Sequence, residues 1–121
     1  MAKSKILVVD DSATDTILIT NPLRAEGYEV ITAKDGEEAL RHLNNDRPDL
    51  VLLDVVMPGK NGFQLCRQIR NDARFGTLPV ILLTSKNQEA DKFWGMKQGA
   101  TAYMTKPFVT AALLATIRQH V

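Results

Sequence analysis

Leu50-Val51-Leu52-Leu53-Asp54 sets four apolar positions in a row and closes them with a carboxylate. A strand with one wet face alternates apolar and polar side chains. A short run with no alternation is buried on both faces, as in a parallel sheet covered by helices on each side. Ile6-Leu7-Val8-Val9 repeats the pattern and runs into Asp10-Asp11, and Val80-Ile81-Leu82-Leu83 runs into Thr84-Ser85. Tyr28 to Thr32, centred on Val30 and Ile31, reads as a second strand, and Ala102-Tyr103-Met104 as a weaker fifth.

The stretches between these runs are long enough for crossover helices. Ser12 is placed to cap a helix running toward Glu26 and stopped by Gly27. Lys34-Asp35-Gly36 opens a second, with Ala39, Leu40 and Leu43 on one face and Pro48 beyond its end. Asn61 or Gly62 opens a third, with Leu65, Cys66 and Ile69 inward. Asn87 is read as the cap of a fourth, closed by Gly99, and Thr110 as the cap of a fifth, with Leu113, Leu114 and Ile117 inward. The predicted fold is (βα)5: an α/β, doubly wound, five-stranded parallel sheet with the flavodoxin-like strand order 2-1-3-4-5. Pro22 falls inside the first helix. It removes a backbone donor and crowds the preceding turn at about 3 kcal/mol, which predicts a kink or an interruption near Leu18 to Pro22.

The chain has 121 residues, so one domain over 1–121 is predicted, with no output domain attached. Hydrophobic residues make up 45% and charged residues 24%, the balance of a folded soluble domain rather than a disordered one. Fifteen basic against fourteen acidic residues leave +1, which gives no electrostatic basis for binding nucleic acid or an anionic membrane. The lone Cys66 can form no internal disulfide, and with only His42 and His120 it makes no thiolate–imidazole metal site. No apolar stretch nears the ~20 residues of a membrane span. The apolar run after Met1-Ala2-Lys3-Ser4-Lys5 is too short for a signal peptide, and Ala2 and the His120-Val121 end carry no lipidation signal. A cytoplasmic location is expected.

In an open parallel sheet, ligands bind beyond the carboxyl ends of the strands. The residues there are Asp10 and Asp11, Asp54, Thr84 and Ser85, and Thr105-Lys106-Pro107. Three carboxylates brought together repel and call for a compensating cation. Hard oxygen ligands in so small a set suit Mg2+. A nucleophilic carboxylate beside a cation, an ammonium and a hydroxyl donor suits phosphoryl transfer, with an aspartate itself accepting the group as an acyl phosphate.

These residues resemble those of two-component response regulator receiver domains, the chemotaxis-regulator-like family, along the whole chain. The likeness rests on Asp10-Asp11, on Asp54 followed by Met57-Pro58-Gly59 and Gly62, on Thr84, and on Tyr103 with Lys106-Pro107-Phe108. The stretch from Asn87 to Ala100, which includes Phe93-Trp94-Gly95-Met96-Lys97, is similar more narrowly to stand-alone regulators of twitching-motility pathways.

The resemblance implies that Asp54 is the phosphoacceptor and that a histidine kinase or phosphotransfer domain is the donor. It implies Mg2+ ligated by Asp11, Asp54 and the backbone carbonyl of Val56, with Asp10 holding it through water. Lys106 would pair with the carboxylate and then with the phosphoryl oxygens, Thr84 would donate its hydroxyl to the same group, and Tyr103 would swing inward behind it. The Lys106-Pro107 bond would be cis. A downstream motility or signalling protein would read the face formed by the fourth helix, fifth strand and fifth helix, with Tyr103, Trp94 and Lys97 as its candidate residues. The protein would be a monomer or a phosphorylation-dependent weak dimer, and a switch rather than a turnover enzyme. Val56 and Lys86 depart from the best-known chemotaxis members, which carry a polar side chain at the position of Val56, and both flank the route of the hydrolytic water.

Plainer readings exist for each residue. Asp10-Asp11 could be a favourable helix N-terminus, Asp54 a strand-end turn residue, and Met57-Pro58-Gly59 only a turn. Tyr103 could be packing with a wet hydroxyl. Trp94 could be exposed for a partner or turned to the core, and Lys97, with Lys92, could belong to a solvated face. An aspartate-nucleophile phosphatase would want a second aspartate where Val56 stands. An FMN carrier would want a Thr/Ser/Gly loop where Asp10-Asp11 would repel phosphate. A phosphorylation-blind adaptor would have no need of the acidic set and Lys106.

Overall fold

The computed structural model describes residues 4–121; Met1, Ala2 and Lys3, on which the reading of the N-terminus rests, lie outside them. Five strands alternate with five helices: β1 (Lys5–Val9), α1 (Ala13–Ala25), β2 (Glu29–Ala33), α2 (Gly36–Asp46), β3 (Leu50–Leu53), α3 (Gly62–Asn71), β4 (Val80–Thr84), α4 (Glu89–Lys97), β5 (Ala102–Thr105) and α5 (Thr110–His120). The strands form one sheet in the order β2-β1-β3-β4-β5, and every pairing is parallel. This is the predicted fold and strand order.

Alternate side chains of each apolar strand feed two cores. Leu7, Val9, Val51, Leu53, Val80 and Leu82 point to one face, where Ala39 and Leu43 of α2 and Leu65, Cys66 and Ile69 of α3 cover them. Ile6, Val8, Leu50, Leu52, Ile81 and Leu83 point to the other, where Ile19 and Leu23 of α1 and Leu113, Leu114 and Ile117 of α5 cover them. The sheet is therefore dry on both sides, which is why its central strands carry no polar alternation.

Most caps fall where the sequence places them. Ser12 accepts from the Asp15 amide, Asp35 caps α2 through the Glu38 amide, and Asn61 and Gln64 form a reciprocal capping box on α3. Two caps lie one residue away from the prediction. The backbone stays extended through Gln88, so Gln88 rather than Asn87 caps α4, its amide donating to Asp91 Oδ2 at 3.3 Å. It also stays extended through Val109, so Thr110 is already helical and caps nothing.

The predicted interruption at Pro22 does not occur, since α1 is unbroken from Ala13 to Ala25. Pro22 lies in the last turn, where the missing donor orphans one carbonyl, that of Leu18, and Leu18 is exposed to water.

Candidate phosphoacceptor site

Backbone register brings the carboxylates together before any side chain is considered. Val9 sits opposite Ala33 on one side and Leu53 on the other. The ladder continues one step past the strand ends: the Asp10 amide donates to the Ala33 carbonyl at 3.0 Å, and the Asp54 amide to the Val9 carbonyl at 2.9 Å. Asp10 and Asp54 therefore leave neighbouring strands at one level. On the far side, the Lys106 amide donates to the Thr84 carbonyl at 2.9 Å, which starts the loop after β5 at the same edge.

One carboxylate oxygen from each of Asp10, Asp11 and Asp54 lies within 4.8 Å of the others. Asp10 is 3% exposed and Asp54 is buried, while Asp11 is open to solvent. The ammonium of Lys106 lies 2.6 Å from Asp10 Oδ2, 2.9 Å from Asp15 Oδ2 and 3.3 Å from Asp54 Oδ2. The Ser12 amide holds Asp10 Oδ1 at 2.9 Å, and the Val56 amide holds Asp54 Oδ1 at 3.2 Å.

Burial pushes the Asp10 carboxyl up, and the Asp54 charge adds to this; Lys106 and the Ser12 amide only partly oppose it. Burial alone would pull Lys106 down, but its hydrogen bonds to Asp10 and Asp15 and the charges of Asp54 and Asp10 outweigh burial and carry it well above an ordinary lysine. Lys106 is thus a fixed cation, and Asp10 a strained anion that a second cation would relieve. Three hard oxygen donors in this arrangement fit a divalent ion such as Mg2+.

Thr84 closes β4 and is fully buried. Its hydroxyl oxygen accepts from the Lys86 amide at 3.3 Å. Tyr103, half-buried on β5, donates its hydroxyl to the Lys86 carbonyl at 2.7 Å, and burial, with the Asp91 and Asp54 charges, pushes its phenol up. The Lys106-Pro107 bond is cis.

Gly62 begins α3 against the back of the site: a Cβ there would fall 2.2 Å from the Asp54 carbonyl oxygen and 2.7 Å from Val55 Cα. The absence of a side chain is what allows α3 to start so close to the backbone of Asp54 and Val55.

The sequence and the fold match known proteins. Residues 6–118 match the family model described as response regulator receiver domain. This chain belongs to the response regulator receiver family. The receiver is 46% identical over 114 residues to Protein PilH of Pseudomonas aeruginosa, covering 94% of each chain. It is 44% identical to the alkaline phosphatase synthesis transcriptional regulatory protein PhoP of Bacillus subtilis, covering 95% of this chain and 49% of that one. Among solved structures, chemotaxis protein CheY4 of Vibrio cholerae superposes with a TM-score of 0.92 at 35% identity, covering 99% of this chain and 100% of that one. A putative response regulator from Chloroflexus aurantiacus gives 0.93 at 35% identity, covering 96% and 95%.

Away from the acidic end, α4 exposes Phe93, Trp94 and Met96, with the Lys97 ammonium over the Phe93 ring at 5.4 Å. Trp94 is 54% exposed, which settles the choice between surface and core in favour of the surface. A groove of about 440 Å³ runs between α4 and α5, lined among others by Gln88, Lys92, Tyr103, Phe108 and Val109. Trp94 and Lys97 stand outside it, while Tyr103 forms part of its wall. His42 pairs with Asp46 at 2.7 Å on α2, and His120 ends α5; neither takes part in the bonding at the site. Among the described residues, no helix is long and apolar enough to cross a membrane.

Sequence reasoning missed Asp15. Its signal was legible in principle: an acid at the third helical position after Ser12, in a helix that starts at the same sheet edge. It missed Arg70 as well, which fastens the end of α3 to the carbonyls of Gly99, Phe75, Gly76 and Leu78. No sequence pattern announces a guanidinium held by loop carbonyls, three of them shortly after α3 and one at Gly99.

Proposed function

We propose that the protein is a phospho-switch in which Asp54 accepts a phosphoryl group from a histidine kinase or phosphotransfer domain. The observation that carries this is the meeting of Asp54 with Asp10, Asp11 and the Lys106 ammonium at one sheet edge. Asp11, Asp54 and the Val56 carbonyl would hold Mg2+, with Asp10 behind water, and the ion would supply the positive charge that draws a phosphoryl group to a carboxylate-lined pocket. Asp54 offers the nucleophilic oxygen. Lys106 turns from its carboxylates to the added oxygens, and Thr84 donates its hydroxyl to them. Support for motility or taxis signalling comes from the similarity to PilH and CheY4.

The output is a shift between two arrangements of the α4-β5-α5 face, which a separate motility or signalling protein reads. In this reading the chain acts in the cytoplasm, as a monomer or a phosphorylation-dependent weak dimer. It assists its own phosphorylation and dephosphorylation but turns over no small substrate. Val56 cannot orient a hydrolytic water and Lys86 shields the phosphoryl group, so the adduct outlives that of rapid-turnover chemotaxis members. Equal hydrolysis rates for the wild type and Val56→Asn would remove Val56 from that account.

The deciding experiment incubates the protein with Mg2+ and acetyl phosphate and weighs it intact. A single base-labile phosphoryl adduct on the wild type, absent from Asp54→Asn and lost with chelator, is the expected result. No adduct under conditions that load known receivers would favour an adaptor that ignores phosphorylation.

A further inference from the structure

Lys106 has three ammonium protons and meets three carboxylates, so none is left over. Two of those carboxylates, Asp10 and Asp54, belong to the acidic set. The third, Asp15, reaches in from α1, and its 2.9 Å contact is shorter than the 3.3 Å contact to Asp54. The Asp15 backbone is pinned at 3.2 Å by the Ser12 cap, in the first turn where a negative charge is favourable. The Lys106 side chain is 13% exposed and that of Asp15 is 37% exposed, so Asp15 closes the rim above the ammonium.

Resting on the phosphoacceptor reading, we propose that Asp15 is a positioning residue that restrains Lys106 and thereby limits how readily Asp54 takes up a phosphoryl group. Uptake forms a bond between an Asp54 carboxylate oxygen and phosphorus as the bond from phosphorus to the donor atom breaks, a histidine nitrogen in the kinase or an oxygen in acetyl phosphate. The leaving group, acetate when acetyl phosphate is the donor, departs with the electron pair. The added group brings oxygens and negative charge that Lys106 must turn to meet, and the proton held by Asp15 has to be given up for it to do so. Asp15 also adds one more negative charge at the entrance for an anionic donor. Both effects slow loading. The same charge favours a divalent cation in the acidic set.

The test uses the full chain as wild type, Asp15→Asn and Asp15→Glu. Each is loaded with acetyl phosphate at its own saturating Mg2+ and followed by intact mass, with Mg2+ affinity measured separately by calorimetry. Asp15→Asn is expected to load roughly three- to fivefold faster and to bind Mg2+ roughly two- to fivefold more weakly, while Asp15→Glu stays near the wild type in both. A thermal midpoint for each variant separates these effects from fraying of α1. Loading of Asp15→Asn at or below the wild-type rate, unchanged Mg2+ affinity, or Asp15→Glu behaving like Asp15→Asn overturns the restraint while the phosphoacceptor reading stands. A wild type that takes up no phosphoryl group overturns both.

Discussion

The Tyr103 hydroxyl donates to the carbonyl of Lys86 at 2.7 Å, and the amide of that same Lys86 donates to Thr84 Oγ1 at 3.3 Å. One residue therefore links the end of β4 to the side chain on β5 that walls the α4–α5 groove. If Thr84 turns its oxygen toward a new partner, Lys86 loses its amide bond and its carbonyl is no longer fixed under Tyr103.

Tyr103→Phe removes one hydrogen bond at a half-exposed position, so its stability cost should stay within about 1 kcal/mol in urea denaturation. The loop from Lys86 to Gln88 should nevertheless exchange its amide protons faster, since the hydrogen bond from Tyr103 to the Lys86 carbonyl is gone. Unchanged exchange over residues 86–88 would show that the hydroxyl does not hold this loop.

Asp10 gives the pH dependence. Its carboxyl is raised in the folded protein, chiefly by burial and further by Asp54. A raised folded-state value means the folded form holds its proton more tightly than the unfolded form. That contribution to stability is full below the ordinary carboxylate range and is lost as pH rises through the raised value. In the absence of divalent ions, Asp10→Asn should therefore gain stability at pH 7, by about 1 kcal/mol, and less at pH 4. Urea midpoints at the two pH values check this, and a variant less stable than the wild type at pH 7 would mean that the Lys106 contact outweighs burial.

The five strands and the meeting of Asp10, Asp54 and Lys106 were legible because apolar runs of a parallel sheet that end at one level put their next residues at one edge, while the strand order follows from the doubly wound fold class. Side chains that reach in from a helix follow no such count. Asp15 is separated from Lys106 by 91 positions and is joined to it only through the packing of α1. Pro22 shows the opposite failure: the helix is not interrupted there, since the carbonyl left without a donor belongs to the exposed residue Leu18. The caps of α4 and α5 lie at Gln88 and Val109, one residue from Asn87 and Thr110, because the end of extended backbone, rather than the nearest polar side chain, decides where those helices begin.

Cys66 is wholly buried on the inner face of α3, its thiol 3.6 Å from the Gln98 carbonyl. Burial pushes the thiol up to about 11, with Arg70 opposing only weakly. At pH 8 the folded protein should then react with a thiol reagent about 100-fold more slowly than the same chain in denaturant. Reaction at comparable rates would mean that the α3–α4 side of the core opens readily.

Gly95 faces inward from α4, where a Cβ would fall 2.8 Å from Leu82 Cδ1 and 2.9 Å from Tyr103 Cδ2. Gly95→Ala must push the Tyr103 ring or the helix outward, and should cost about 1–3 kcal/mol despite the better helix former. Gly62→Ala meets backbone instead: the Asp54 carbonyl oxygen at 2.2 Å cannot rotate away as a side chain can. Its cost should exceed that of Gly95→Ala and reach about 3 kcal/mol or more. Because the atom displaced belongs to Asp54, phosphoryl uptake should fall in Gly62→Ala even at temperatures where the variant is folded, whereas Gly95→Ala should keep uptake and alter only the α4–α5 groove. Urea denaturation paired with intact-mass loading separates the two. Equal loading by both variants would mean that the acceptor loop tolerates a shift of its backbone.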